Sequence, residues 1–387
     1  MLVLAAVTLS GVAFPQTDKT PRKPVLDTAR IDATVSRLMN ANNVPGLALA
    51  LIKEGEVAFT KGYGHRMVEK GLALETDTIM YGASLTKATF AYLVMQLVDE
   101  GVIHLDRPIA DYLAKPLPEY DNWKDVVGDN RWRDLTMRIL LSHRAGFSNF
   151  RFFDKQGDYD RDGKLTIYFA PGSRYAYSGE GFLLAQFVLE EGLGMDVGAE
   201  MQARIFDRFK MPNTSLTWRE DFARNYAHNY DLEGTNVRHR VWDKVGAAGS
   251  MDTTLDDWSR FLAAVVRGEG LSQESKRVMT GTQIRIHSAS QFPTLRESTT
   301  TAYDRIELGY GLGWGLFTTP RGPAFFKEGH DDGTANYALC IQPEASCILI
   351  MSNSVRAEGI FKELVDKIYG DTNLPWAWHG YTPYNLK

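Results

Sequence analysis

Sequence with strand character lies at the two ends of this chain and is missing from its middle. Near the start, Gly46-Leu-Ala-Leu-Ala-Leu-Ile-Lys53, a Glu54-Gly55 turn and Glu56 to Tyr63 have the pattern of a hairpin. Near the end, Gly311 to Thr318, Tyr337 to Ile341 and Cys347 to Asn353 read as strands. From about His104 to Arg240 the pattern is helices and long loops rich in Trp, Tyr and Arg. The simplest architecture is of α/β composition and α+β type. An antiparallel sheet is built from both ends, helices flank it, and a mostly helical inserted domain lies beside it. On this reading 26–104 and 246–387 form the sheet lobe and 105–245 the helical lobe. The cleft between them is the natural place for a ligand.

Helical spacing marks Leu26 to Met39, Ser84 to Glu100, Thr253 to Val266 and Arg356 to Tyr369. The second is the strongest: Leu85, Ala88, Leu93, Leu97 and Val98 keep the period and Gly101 supplies a stop. Composition bounds the rest. With 387 residues, 44% hydrophobic and 24% charged, the chain resembles ordinary globular proteins rather than disordered or disulfide-stapled ones. The formal charge is −5 and no Lys/Arg block stands out, which argues against a nucleic-acid partner. No apolar run reaches the roughly 18 residues of a membrane span. Leu2 to Phe14 is uncharged, and polar, Pro-containing sequence (Gln16 to Pro24) follows it. Residues 1–25 are therefore expected to be a signal peptide and linker, placing the mature protein in the periplasm or outside the cell. The two cysteines, Cys340 and Cys347, flank Pro343-Glu344. A two-residue turn there would set them opposite each other, either paired in an oxidising compartment or as small buried neighbours.

Several catalytic signatures are missing. There is no Gly-x-Ser-x-Gly elbow of an α/β-hydrolase and no His-Glu-x-x-His or His-x-His-x-Asp of a zinc hydrolase. The glycines of 309–315 lack the Lys-Ser/Thr of a phosphate loop and read as a strand entry. What the chain does carry is Ser84-Leu-Thr-Lys87, opening its strongest helix. Spacing of i,i+3 puts Ser84 and Lys87 on one helix face. The helix N-terminus brings free N–H groups and partial positive charge to the serine. A desolvated lysine can be neutral enough to take a serine proton. The plain alternative is a capping serine beside a solvated lysine.

Further stretches bear on that choice. They are Leu135-Thr-Met-Arg-Ile-Leu-Leu-Ser-His-Arg-Ala-Gly146, Pro171-Gly-Ser-Arg-Tyr-Ala-Tyr-Ser-Gly179, Ala247-Ala-Gly-Ser250, Tyr310-Gly-Leu-Gly-Trp314 and Lys327-Glu-Gly-His-Asp-Asp-Gly333. With these in order, the chain from about Leu26 to Tyr369 resembles the serine β-lactamase / penicillin-binding-protein superfamily, in particular its class C β-lactamase-like hydrolases. The resemblance implies roles. Ser84 is the nucleophile that forms an acyl-enzyme, Lys87 shares its proton, and Tyr177 is the general base. His330 matches the first residue of the Lys/His-Thr-Gly motif. The oxyanion hole is formed by the backbone N–H of Ser84 with that of Gly333 or Asp332. Two departures stand out: the family's Tyr-x-Asn asparagine is Gly179, and its Thr-Gly is Asp331-Asp332.

The reading that follows is a serine hydrolase cleaving an ester or amide bond of a small molecule or peptide, with no metal and no organic cofactor. The rivals are a D-amino-acid peptidase or weak β-lactamase on the same site, and a non-catalytic binding or scaffold member of the fold. Strand alternation puts Asp332 on the face of His330, where it would repel anionic substrates, and turns Lys327 away, leaving Lys87 as the cation serving Tyr177. The remaining histidines read as core or surface residues. Asp158, Asp160 and Asp162 give half of a calcium loop, but Phe169 stands where its closing Glu belongs.

Overall fold

The computed structural model describes residues 26–386; the expected signal peptide lies outside the described residues. In chain order the elements begin α1 (Thr28–Ala41), β1 (Gly46–Lys53), β2 (Glu56–Met67), β3 (Leu72–Ala73), β4 (Met80–Tyr81) and α2 (Leu85–Asp99). The helical middle holds α3 (Met137–Leu141), α4 (Gly179–Phe187) and α5 (Val197–Met201), with β5 (Asn229–Tyr230) and β6 (Asn236–Val237) near its end. Then follow β7 (Asp252–Thr253), α6 (Leu255–Arg267), α7 (Gln273–Met279), β8 (Ile284–Arg285), β9 (Gly309–Tyr310), β10 (Gly315–Thr319), β11 (Gly322–Asp331), β12 (Thr334–Ile341) and β13 (Ser346–Ser352). The chain closes with α8 (Glu358–Ile368) and α9 (Trp376–His379).

One nine-stranded sheet runs β3-β2-β1-β13-β12-β11-β10-β9-β8. Its two sequence halves meet where β1 pairs antiparallel with β13, from Leu47↔Ser352 to Ile52↔Cys347. β1 is apolar at every position but its last because both faces of the sheet are covered. Leu47, Leu49 and Leu51 join the core beneath α1 and α8, with Val35, Leu38, Ile360 and Leu364. Ala48, Ala50 and Ile52 join the larger core of α2 and α6, with Leu93, Trp258 and Leu262. The expected antiparallel sheet built from both ends of the chain, with helices on its faces, is thus present.

Four details differ from the sequence reading. α2 is buried all round from Leu85 to Leu97 rather than along one stripe, since it packs against β11 on one side and α5 and α7 on others. Of the expected strand 311–318 only 315–318 is strand, within β10; β9 lies before it, and between the two Gly313 rests on α2, where a Cβ would sit 2.5 Å from Ala91 Cβ. β11, with Lys327 and Glu328 in its middle, has no apolar alternation there and entered the sequence reading as a strand only through the family resemblance. Cys340 and Cys347 pair in register across β12 and β13, 4.1 Å apart at Cα, and form a disulfide. The turn between them spans Gln342 to Ala345 rather than Pro343-Glu344 alone, with Ala345 left-handed at φ 44°.

The half calcium loop is a string of local turns: Asp160 Oδ1 accepts from Asp162 N at 3.0 Å, and Asp160 N donates to Phe152 O at 2.8 Å. Among the described residues no group of three His, Cys, Asp or Glu side chains is gathered to hold a metal, and Asp158, Asp160 and Asp162 do not converge. None of the described helices is long and apolar enough to cross a membrane.

Candidate active site

Ser84 occupies the N-cap of α2, reached from β4 through Ala83, whose φ of +46° is uncommon for a residue with a Cβ. The Ser84 hydroxyl makes no capping bond. Thr86 instead fastens the turn, donating from N and Oγ1 to Ala83 O at 3.1 and 2.6 Å. Ser84 Oγ therefore stays free to accept from Lys87 Nζ at 3.0 Å. Lys87 is 1% exposed, and its amine also donates to Ala248 O at 2.6 Å. Burial, joined by the like charge of Lys327, holds the Lys87 pKa well below the usual lysine value; Glu328 opposes this. A capping serine beside a solvated lysine is excluded on both counts.

Tyr177 is held from both sides by His143. Ala176 N donates to His143 O at 2.8 Å and Ser178 N donates to His143 Nδ1 at 3.0 Å. Nδ1 accepts, so the ring proton is on Nε2, which faces Tyr310 Oη at 3.2 Å. The Tyr177 ring lies 4.2 Å from that imidazole. Lys87 Nζ is 5.0 Å from the Tyr177 ring centroid, and Lys327 Nζ is 5.1 Å from it. Lys327 Nζ also donates to Tyr177 Oη at 3.2 Å. Burial pushes the Tyr177 phenol well above its ordinary pKa and the Glu328 carboxylate adds to this, against a smaller pull from Ser84.

The third wall is β11. β10 pairs with it only as far as Gly315↔Phe326, so 327–331 leave that edge outside the β10 ladder. Gly329 passes over the turn before Ser84, where a Cβ would come 2.6 Å from Gly82 O. The side chains of Lys327 and Glu328 form a buried ion pair at 3.0 Å. Behind it, Gln291 Nε2 donates to Glu328 Oε1 at 2.8 Å, Gln291 Oε1 meets His379 Nδ1 at 3.0 Å, and His379 Nε2 meets Tyr337 Oη at 3.0 Å.

This corrects the assignment of the third motif. Lys327, not His330, reaches Tyr177. His330 points to the other face of the sheet and pairs with Glu358 at the start of α8, at 2.5 Å. Asp332 is exposed. Gly333 packs at the β11–β12 tip, where a Cβ would meet Val237, Asn229 and Tyr230. Neither is placed as an oxyanion donor; Gly329 is the part of the strand beside Ser84. The carboxylate on the face of Gly329 is Asp331, which pairs with Arg240 at 3.5 Å. The missed signal was present: Lys327-Glu328-Gly329 is itself a Lys-x-Gly, with the glycine where backbone approach demands one. His143, read as a core or surface residue, is the buried support of Tyr177.

Gly179 also has a structural reason. A Cβ there would lie 2.6 Å from Phe150 Cε1. Phe150, stacked on Phe152 at 5.3 Å, thus fills the space beside Gly179 and stands 6.0 Å from Lys87 Nζ. The exposed Phe292 lies 5.6 Å from Tyr177, so aromatic rings border the site on two sides.

A serine hydroxyl, a buried amine, a phenol and a free strand edge converge here, as a site for acyl transfer requires. The sequence model of the beta-lactamase family matches residues 31–367. The chain belongs to the beta-lactamase family. It is 25% identical over 358 residues to penicillin-binding protein 4 of Amycolatopsis lactamdurans, covering 86% of this chain and 87% of that one. It is 27% identical over 245 residues to a D-aminopeptidase of Gluconobacter oxydans, covering 60% of this chain but 45% of the relative. Among solved structures, the octameric penicillin-binding protein homologue from Pyrococcus abyssi superposes with a TM-score of 0.70 at 21% identity, over 90% of this chain and 78% of that one. The chain is a serine hydrolase of the β-lactamase fold.

Proposed function

We propose that the protein hydrolyses an ester or amide through an acyl-enzyme on Ser84. The observation that carries this reading is the 3.0 Å bond from a fully buried Lys87 to a serine hydroxyl with no capping duty. Lys87, whose charged form burial disfavours, takes the Ser84 proton as Oγ attacks the carbonyl. Tyr177, bonded to Lys327, passes a proton to the leaving group. A raised phenol pKa suits a donor better than a standing base, which moves the base role from Tyr177 to Lys87. The oxyanion is received by the Ser84 N–H and a backbone N–H of the free β11 edge at Gly329–His330. The D-aminopeptidase relative supports an amine-bearing D-aminoacyl substrate as one member of this class. The disulfide supports export to an oxidising compartment.

A fluorophosphonate probe should label Ser84, seen by intact mass. Ser84→Ala should abolish the adduct and lower turnover on the order of 10³-fold or more. An unchanged adduct on Ser84→Ala would remove Ser84 from this role. Because the base must be neutral, kcat/KM should fall as pH drops through the Lys87 pKa. That limb should lie well below the ordinary lysine range and shift lower still in Glu328→Gln, which removes a charge favouring the ammonium.

A further inference from the structure

We propose that Glu328 sets the substrate charge this site accepts: by engaging Lys327 it closes the site to substrates with a carboxylate beside the scissile bond. The proposal rests on the Ser84 reading above and names its substrate class as neutral or cationic near the reacting carbonyl.

Two buried amines adjoin the site. Lys87 is committed to Ser84 Oγ and Ala248 O. Lys327 has three N–H donors and three acceptors: Tyr177 Oη at 3.2 Å, Glu328 O at 2.8 Å and Glu328 Oε1 at 3.0 Å. Its donors are spent, and its side chain is 0% exposed. An arriving carboxylate would have to displace Glu328, whose own side chain is 7% exposed and is anchored from behind by Gln291. Removing one partner from a buried ion pair leaves a bare charge, so displacement is strongly opposed. Glu328 Oε2 is buried without a hydrogen-bond partner, so little besides Lys327 and Gln291 offsets this carboxylate. A second carboxylate brought beside this buried pair is disfavoured by roughly tenfold to a hundredfold.

The carboxylates at the strand tip are poorer candidates for this selection. Asp331 is already paired with Arg240 and Asp332 faces solvent, where salt and water screen it.

The test uses 3-carboxyphenyl phenylacetate and its methyl ester, alike but for the charge. Wild type should prefer the methyl ester by at least tenfold in kcat/KM. Glu328→Thr and the near-isosteric Glu328→Gln, checked for folding by thermal melting, should each move the ratio toward the carboxylate by tenfold or more. The double variant Asp331→Asn/Asp332→Asn should leave it within twofold. A wild-type preference for the carboxylate overturns the proposal without any variant. So does an unmoved ratio in a folded Glu328 variant, or an equal movement in the double Asp variant. Fluorophosphonate labelling separates the two claims: Ser84 labelled with an unmoved ratio sinks only the role of Glu328, whereas an unlabelled wild type sinks the hydrolase reading itself.

Discussion

Residues 327–329 and 330–333 follow one another along β11 and its turn, and both stretches carry charge. The first is buried, with Lys327 and Glu328 locked together behind Tyr177. In the second, His330 is half exposed and tied to Glu358, Asp331 leans on Arg240, and Asp332 lies in water. The same kinds of charge therefore do different things. In the buried stretch an ion pair shielded from solvent governs which proton moves and which substrate enters. At the tip, water and salt leave each charge little more than local effect. Placing the third motif three residues too late along this strand put the substrate-selecting charge on the screened side of that divide.

The largest break of the comparison is in stability. Lys327→Met leaves Glu328 buried and unpaired, and should cost about 3–5 kcal/mol in urea unfolding. The double variant Lys327→Met/Glu328→Met should recover most of that loss, because it removes both charges together. A single-variant cost under about 1 kcal/mol would show that water reaches the pair.

How much of this was legible in the sequence follows the same divide. The apolar elements were read closely: β1 is observed at Gly46–Lys53, as its apolar run and the turn after it indicated, and α2 begins at Leu85 with Ser84 as its N-cap. Periodicity reports burial of apolar side chains, and these elements consist of little else. β11 was legible only through the family resemblance, because its middle is Lys-Glu-Gly, which breaks the alternation by burying an ion pair where an apolar pair is the rule. Ser84 and Lys87 stood out as a local motif, whereas Tyr177 entered through the family resemblance. Lys327 was missed because pleat direction was reckoned from His330, and every side-chain assignment on a strand inverts with a one-residue change of reference. Phe150 had no local signal, and His143, though inside the 135–146 stretch that carries the resemblance, was read as a core or surface residue, since both roles arise only where α3, α4 and the loops between them meet α2.

A smaller effect tests the aromatic border. Phe150 stands where a side chain at Gly179 would have been. An aryl group resting on its face gains about 0.5–1.5 kcal/mol beyond simple burial. Phe150→Ala should lower kcat/KM for p-nitrophenyl phenylacetate roughly tenfold while leaving p-nitrophenyl acetate within about twofold. An equal loss on both esters would make Phe150 a support for Lys87 rather than a substrate contact.

The smallest effect belongs to His330. Its side chain is 53% exposed and its Nδ1 meets Glu358 Oε1 at 2.5 Å. Partial burial works against its positive charge, but Glu358, with Asp331 and Asp332 nearby, prevails and raises its pKa above the ordinary histidine value. A group whose folded pKa is raised contributes its stability in full below the unfolded pKa, near 6.5, and loses it as pH climbs through the folded pKa. At such exposure the pair is worth about 0.2–1 kcal/mol. His330→Gln should therefore lower stability by no more than that at pH 5.5 and by nothing measurable at pH 9, with kcat/KM within about twofold of wild type throughout. The substitution leaves the backbone of the β11 edge in place, so an oxyanion donor there would be untouched. A loss of a hundredfold in kcat/KM would return His330 to the catalytic group and shift the boundary between the two halves of the strand.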